Sequence, residues 1–216
     1  MVYGIIIHSS ESEQLYFSAY YNLVNNDINQ TSRQQIIIKK VIEEINYYKE
    51  DKENYENTNK NNKDKYLDIF GVFIPSSIKV CIQKCCLSSR APNNEFKIDN
   101  EGFFKIENIS LFKNKINIMW KVLNKVCYTL MFFPHENIHM ADNFLNTLIY
   151  VLMENYEKLG KSNKNNMNKF NPDTVLAILY FFLPKGQFMI LTPDYIQILS
   201  NKVKEFLGEK GTPKKE

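Results

Sequence analysis

The sequence predicts an α+β fold: an antiparallel sheet of about five strands, helices packed on its faces, and an additional C-terminal helix. Two observations lead to this class. Short apolar segments rich in β-branched and aromatic residues recur in the chain up to Phe133, with one segment of helical spacing among them, and further segments with helical spacing of apolar residues follow. The length of 216 residues is enough for one domain with a core of its own.

The N-terminal region predicts a β-hairpin. Val2–His8 is an isoleucine-rich apolar run, and Gln14–Tyr21 is rich in aromatic residues. The polar residues between these two runs suit a short connection between antiparallel strands.

A helix is predicted next along the chain. Thr31 or Ser32 would cap it, because Gln34 and Gln35 follow each of them at the spacing of a capping box. An apolar stripe lies at helical spacing: Ile38, Val41, Ile42 and Ile45. We expect this helix to end near Tyr48.

Residues 49–65 form a charged, asparagine-rich tract with almost no apolar side chains. Such a tract buries too little surface to offset the loss of chain entropy, which predicts a low-complexity, disordered insertion. Residues 161–169 have a similar composition. We expect a single domain over residues 1–207 that contains the insertion, followed by a polar tail over residues 208–216.

Three further strands are predicted over Phe103–Ile106, Ile116–Leu123 and Lys125–Phe133, each of which mixes β-branched and aromatic residues. Asn124 is suited to the turn between the last two strands. Pro134 ends the third strand.

Three helices complete the prediction. A long amphipathic helix covers about His135–Leu159, and a second helix covers Asp173–Leu183 behind a cap at Asn171. The last helix begins at Thr192 or Asp194.

The composition narrows the class of protein. The 27 basic and 24 acidic residues give a net charge of +3, which does not favour a nucleic-acid partner. The sequence contains no run of 18 apolar residues, so no membrane helix is predicted. The N-terminal residues lack the features of a signal peptide. The four cysteines match neither a disulfide framework nor a zinc motif. These observations favour a cytoplasmic protein without a cofactor.

Residues 135–139 read His-Glu-Asn-Ile-His. In zinc peptidases this spacing places two histidines on one helical face, with the glutamate as general base. Pro134 argues against that chemistry here, because it starts a helix and leaves the histidines in a frayed first turn. A third ligand is also missing as a motif. We therefore expect no catalytic or metal site, and a zinc metallopeptidase is only a remote alternative.

Two sequence motifs carry a resemblance to a known family. Pro-His-Glu-Asn at 134–137 opens the long helix, and Phe-Leu-Pro-Lys-Gly-Gln at 182–187 follows the next helix and precedes apolar residues. In this order they resemble the sigma subunit of adaptor protein complex 5. The strand pair and long helix over Lys115–Leu159 are similar to small adaptor subunits generally, and Met1–His8 resembles the start of a longin domain. The resemblance is weakest over residues 66–100.

The resemblance implies a longin-like domain and a non-catalytic role. By implication, the chain is the sigma subunit of a heterotetrameric vesicle coat in endosomal and lysosomal protein transport. It would pair directly with a large, zeta-type subunit, join beta and mu subunits, and associate with spatacsin- and spastizin-like proteins. Membrane contact would be indirect, at late endosomes and lysosomes. The alternative is another longin trafficking protein, such as a subunit of a GTPase exchange factor.

A partner interface is predicted in the C-terminal segment, because an obligate interface is large and rich in apolar residues. The predicted residues are Phe188, Ile190, Leu191, Ile196, Leu199 and Val203. The competing interpretation is that these side chains complete the domain's own core.

Overall fold

The computed structural model describes residues 1–21, 29–58, 98–107, 111–112, 114–160 and 171–208. In this part of the chain the elements are β1 (Val2–Ser9), β2 (Leu15–Tyr20), α1 (Gln30–Thr58), β3 (Asn100–Ile106), β4 (Ile116–Leu123), β5 (Val126–Phe132), α2 (Ile138–Gly160), α3 (Pro172–Phe182) and α4 (Pro193–Phe206). A short 3-10 turn, Pro184–Gly186, follows α3. The predicted α+β class is confirmed.

The five strands form one antiparallel sheet in the order β2-β1-β5-β4-β3. The predicted N-terminal hairpin is present, since β1 pairs with β2. The other edge of β1 pairs with β5, where Ile5 lies opposite Leu130 and Ile7 opposite Tyr128. The first strand of the chain therefore lies inside the sheet.

A tight turn joins β4 to β5. Asn124 has φ 51° and Lys125 has φ 65°, which is the two-residue turn whose twist matches that of a β-hairpin. The turn at Asn124 is confirmed. Lys125 belongs to this turn, so the strand begins one residue later than expected.

One face of the sheet and three helices enclose the main core. Side chains from β1, β2, β4 and β5 pack there with side chains from α2, α3 and α4. On α2, Leu145, Leu148 and Leu152 are fully buried, and Phe144 is almost as deep. The amphipathic pattern of the long helix therefore identifies its core side correctly.

The opposite face of the sheet is also apolar and buried. Ile6, Ile118 and Trp120 on this face are fully buried. Gly102 lies opposite Trp120 in the neighbouring strand, and an added Cβ there would overlap the indole Cζ2. The absence of a side chain at Gly102 is therefore what lets the indole lie across β3.

Helix α1 differs from its predicted bounds at both ends. It begins at Gln30, so Thr31 and Ser32 lie in its first turn and the predicted capping box is wrong. The Arg33 N–H already donates to the Asn29 carbonyl at 3.0 Å. The helix continues to Thr58 rather than ending near Tyr48. Its last ten residues contain no glycine or proline, and lysine and glutamate are good helix formers, so weak hydrophobicity did not mean loss of helix.

Both C-terminal helices begin at side-chain caps. Asn171 accepts a hydrogen bond from the Asp173 N–H at 3.0 Å, and Thr192 accepts one from the Tyr195 N–H at 3.3 Å. The Asn171 cap is confirmed, and Thr192 rather than Asp194 caps α4.

The chain divides into two compact units, one formed by Met1–Ile42 with Phe96–Glu216 and the other by Glu43–Glu95. Of the second unit, only residues 43–58, in α1, are among the described residues. The remainder of the predicted insertion, the asparagine-rich tract at 161–169 and the tail from residue 209 lie outside them. The single domain over residues 1–207 stays a prediction.

Candidate partner interface

The His-Glu-Asn-Ile-His sequence is a helix cap in this structure. Helix α2 begins at Ile138 rather than at His135, and the Asn137 side-chain oxygen accepts from the N–H groups of His139, at 2.8 Å, and Met140, at 3.3 Å. His135 therefore precedes the helix, and it cannot share a helical face with His139. Both histidines are exposed.

The neighbours of this cap hold its other side chains in place. The His135 ring stacks on Phe133 with centroids 5.8 Å apart, and the Glu136 carboxylate forms an ion pair with the amino group of Met1. Among the described residues no three side chains of His, Cys, Asp or Glu come together as a metal site. The acid of the motif is thus engaged in an ion pair.

A histidine and a hydroxyl meet at another place that the sequence did not indicate. His8 Nδ1 donates to the Ser9 carbonyl at 2.7 Å, so its Nε2 accepts from the Thr129 hydroxyl at 3.2 Å. The Cys127 thiol in turn lies 3.6 Å from the Thr129 hydroxyl oxygen. The pair is brought together by the pairing of β1 with β5, across 121 residues.

This buried chain of polar groups is not suited to catalysis. The side chains of His8, Thr129 and Cys127 are all inaccessible to solvent. Burial lowers the pKa of His8, against the opposing effect of its bond to Ser9, and burial raises the pKa of Cys127 to about 12. The thiol therefore stays protonated, and no substrate can reach the hydroxyl.

A buried lysine joins the sheet to α2. Lys121 on β4 is only 3% exposed, and its ammonium lies 2.7 Å from Glu101 Oε2 on β3 and 2.7 Å from Asp142 Oδ1 on α2. Asp142 also accepts from the Asn146 side-chain amide at 3.2 Å. We call Glu101, Lys121 and Asp142 the ion triad. The buried ammonium is thus paired with a carboxylate on each side, and the triad acts as a structural connection.

The residues predicted as an interface do not form one exposed surface. Four of them lie in the chain's own core: Leu191, Ile196, Leu199 and Val203. Phe188 is half-buried and lies 6.2 Å from the Phe132 ring and 5.8 Å from the Phe144 ring. Ile190 is 80% exposed. Only Ile190 therefore offers a mostly free side chain, and the others form the packing beneath it.

A different apolar surface lies on the outer sides of the last two helices. Its members are Leu176, Tyr180 and Phe181 on α3 and Tyr195, Ile198 and Phe206 on α4, and we call them the α3–α4 face. Most are large, exposed side chains. The sequence carries a signal for this face, because α3 is apolar on every side. A helix with one side in water has polar residues on that side.

The fold defines the class of protein: a longin-like α+β domain of the kind found in small adaptor subunits. The family model described as AP-5 complex subunit sigma-1 matches residues 1–204, and the chain belongs to that family. No curated protein matches the chain. None of the helices within the described ranges has the length and apolar character needed to cross a membrane.

Proposed function

We propose that this chain is the non-catalytic sigma subunit of an adaptor complex 5-like heterotetrameric coat, with a structural role in endosomal and lysosomal protein transport. The observation that carries the proposal is the family match over residues 1–204. The geometry is compatible with it, because the one histidine–hydroxyl pair described above is sealed in the core and the His-Glu-Asn-Ile-His sequence caps a helix. The finer assignment to this complex and compartment is our inference.

The proposed partners follow from the same assignment. A large, zeta-type subunit binds the chain directly, and beta and mu subunits join the same assembly. Spatacsin- and spastizin-like proteins associate with the complex. The protein is cytoplasmic and reaches late endosome and lysosome membranes through the assembly rather than by itself. In the C-terminal segment, Ile190 contributes an exposed side chain to the interface, and Phe188, Leu191, Ile196, Leu199 and Val203 support it from beneath.

The test is purification of the tagged full-length chain from its native cytosol, with identification and stoichiometry of the proteins that accompany it. We expect a large adaptor-type subunit in roughly equimolar amount, with two further subunits. A GTPase in place of the large subunit would contradict the proposal and favour a role in nucleotide exchange. A monomer without companions would reduce the relation to one of fold and family alone.

A further inference from the structure

Ring contacts connect members of the α3–α4 face across the two helices. Leu176 and Tyr180 are one turn apart on α3, and the Tyr180 and Phe181 rings have centroids 5.1 Å apart. Phe181 then meets Phe206 of α4 at 6.0 Å. On α4, Ile198 lies two turns before Phe206 on the same side of the helix. The two helices thus present one apolar surface.

The exposure of this surface is larger than a solvated helix requires. Tyr180 is 72% exposed, Phe206 67%, Leu176 52% and Ile198 51%. With the contributions of Tyr195 and Phe181, the exposed apolar area is roughly 600 Å², taking about 200 Å² for each complete side chain. That is the upper end for the largest patch on a monomer, and it approaches the roughly 800 Å² that each partner of a stable complex buries.

Helix α1 provides a comparison within the same unit. Its exposed positions between residues 31 and 40 are Thr31, Ser32, Gln35, Lys39 and Lys40. These side chains are polar or charged, as expected for a helix that faces water. This first part of α1 therefore lacks the exposed apolar side chains of the α3–α4 face, and the exposed tyrosines of the helix, Tyr47 and Tyr48, lie beyond it.

Charged side chains within the α3–α4 face bear on which partner it can bind. Exposed Lys202 lies between Ile198 and Phe206 on the same side of α4, at intervals of four residues. Exposed Glu205 follows Lys202 by one turn, so the face carries one charge of each sign beside its apolar side chains. The tail at residues 209–216 contains no large apolar side chain.

We propose that the α3–α4 face is the docking surface for the large subunit of the adaptor complex, which presents an apolar surface with a carboxylate opposite Lys202. This inference rests on the proposed function and specifies where its direct partner binds. It also moves the interface from the inward residues of α4 to the outward ones, with Ile190 next to α4 in sequence.

The experiment measures affinity of the full-length chain for the large subunit, with Leu176→Glu and Ile198→Glu combined and with Lys202→Glu alone. Leu15→Glu is the matched control, because Leu15 is a 40% exposed leucine on edge strand β2. We expect the double variant to bind at least tenfold more weakly, since central apolar contacts dominate interface energies. Lys202→Glu should weaken binding severalfold, and Leu15→Glu should leave it unchanged.

A second readout is oxidative labelling of Tyr180 and Phe206 in the free chain and in the complex. Labelling should be high in the free, monomeric chain and fall when the large subunit binds. Low labelling in the free monomer would overturn the proposal, because another segment of the chain would then cover the face. Protection that appears only as the chain self-associates would identify a second copy as occupant and overturn it as well.

The outcomes separate the two proposals. If the wild-type chain binds no large subunit, the proposed function fails and the docking surface fails with it. If the wild type binds and the double variant binds equally well, the function stands and only the location of the interface is wrong. Unchanged unfolding midpoints for all variants establish that loss of binding is not loss of folding.

Discussion

The ion triad allows a sharp test of how this fold tolerates a buried charge. Two perturbations remove the same interaction from opposite sides. Lys121→Met removes the buried ammonium, whereas Glu101→Gln with Asp142→Asn keeps it and removes both countercharges. Because Lys121 is 3% exposed and the two carboxylates are 32% and 28% exposed, the two changes leave very different groups behind.

The geometry sets the magnitudes. At 2.7 Å each Lys121–carboxylate pair is worth about 6 kcal/mol of Coulomb attraction for an effective dielectric constant of 20. Desolvation costs several kcal/mol for each of the three ions and together offsets most of this attraction. Leaving the ammonium buried without countercharge should therefore lower the free energy of unfolding by about 3–5 kcal/mol. Lys121→Met leaves partly hydrated carboxylates and an apolar side chain, and should cost only about 1–2 kcal/mol.

The assay is urea unfolding of the dilute full-length chain at neutral pH, followed by the fluorescence of its single tryptophan, Trp120. Lys125→Met is the control, since Lys125 forms an exposed ion pair with Glu11 at 3.1 Å and should change stability by less than about 0.5 kcal/mol. The reasoning is refuted if Lys121→Met is as destabilising as the double carboxamide variant.

Three other predictions follow from features of the core and the helix cap. Burial lowers the pKa of His8, so as pH falls the histidine of the unfolded state takes up a proton first, and the free energy of unfolding should fall below about pH 6.5 by at most about 1.4 kcal/mol per pH unit. The His8→Gln variant should flatten this dependence in urea titrations between pH 7.5 and 5.5, and an unchanged slope would contradict the assignment. Gly102→Ala should lower the free energy of unfolding by about 1–3 kcal/mol and shift the Trp120 emission, because the new Cβ overlaps the indole. An unchanged spectrum and melting temperature would show that the ring can move aside freely. Asn137→Ala should lower the free energy of unfolding by about 1 kcal/mol through loss of the α2 cap, whereas His135→Ala should change it by less than about 0.5 kcal/mol. Elemental analysis should find only background zinc, and stoichiometric zinc that is lost in the histidine variant would revive the peptidase interpretation.

Much of the fold could be predicted from the sequence where local interactions determine it. The apolar run at Val2–His8, the pattern at Ile116–Leu123 and the turn at Asn124 each produced the expected strand or turn, because burial and backbone conformation act over a few residues there. The end of α1 was harder to predict. Hydrophobicity stops near Tyr48 but helix propensity does not, and the helix extends to Thr58.

The features of the candidate site depend on distant contacts and could not be read in the same way. His8 meets Thr129 only because β1 pairs with β5, and Lys121 is a buried cation only because α2 crosses β4 with Asp142. The interface prediction considered how apolar each residue is but not which side of the helix it lies on. Leu199 and Ile198 are adjacent and equally apolar, yet one points into the core and the other is 51% exposed.

The position of β1 within the sheet has a consequence for how the chain is made. Its partner β5 lies about 120 residues further along, so on a ribosome moving at roughly 5–20 residues per second the first hairpin waits for about 6–24 seconds. During that time a two-stranded hairpin is marginal by itself, and the isoleucine-rich edge of β1 is open to other strands. The newborn chain therefore depends on chaperones or on prompt synthesis of its second half, and stalling before Val126 would produce an aggregation-prone fragment.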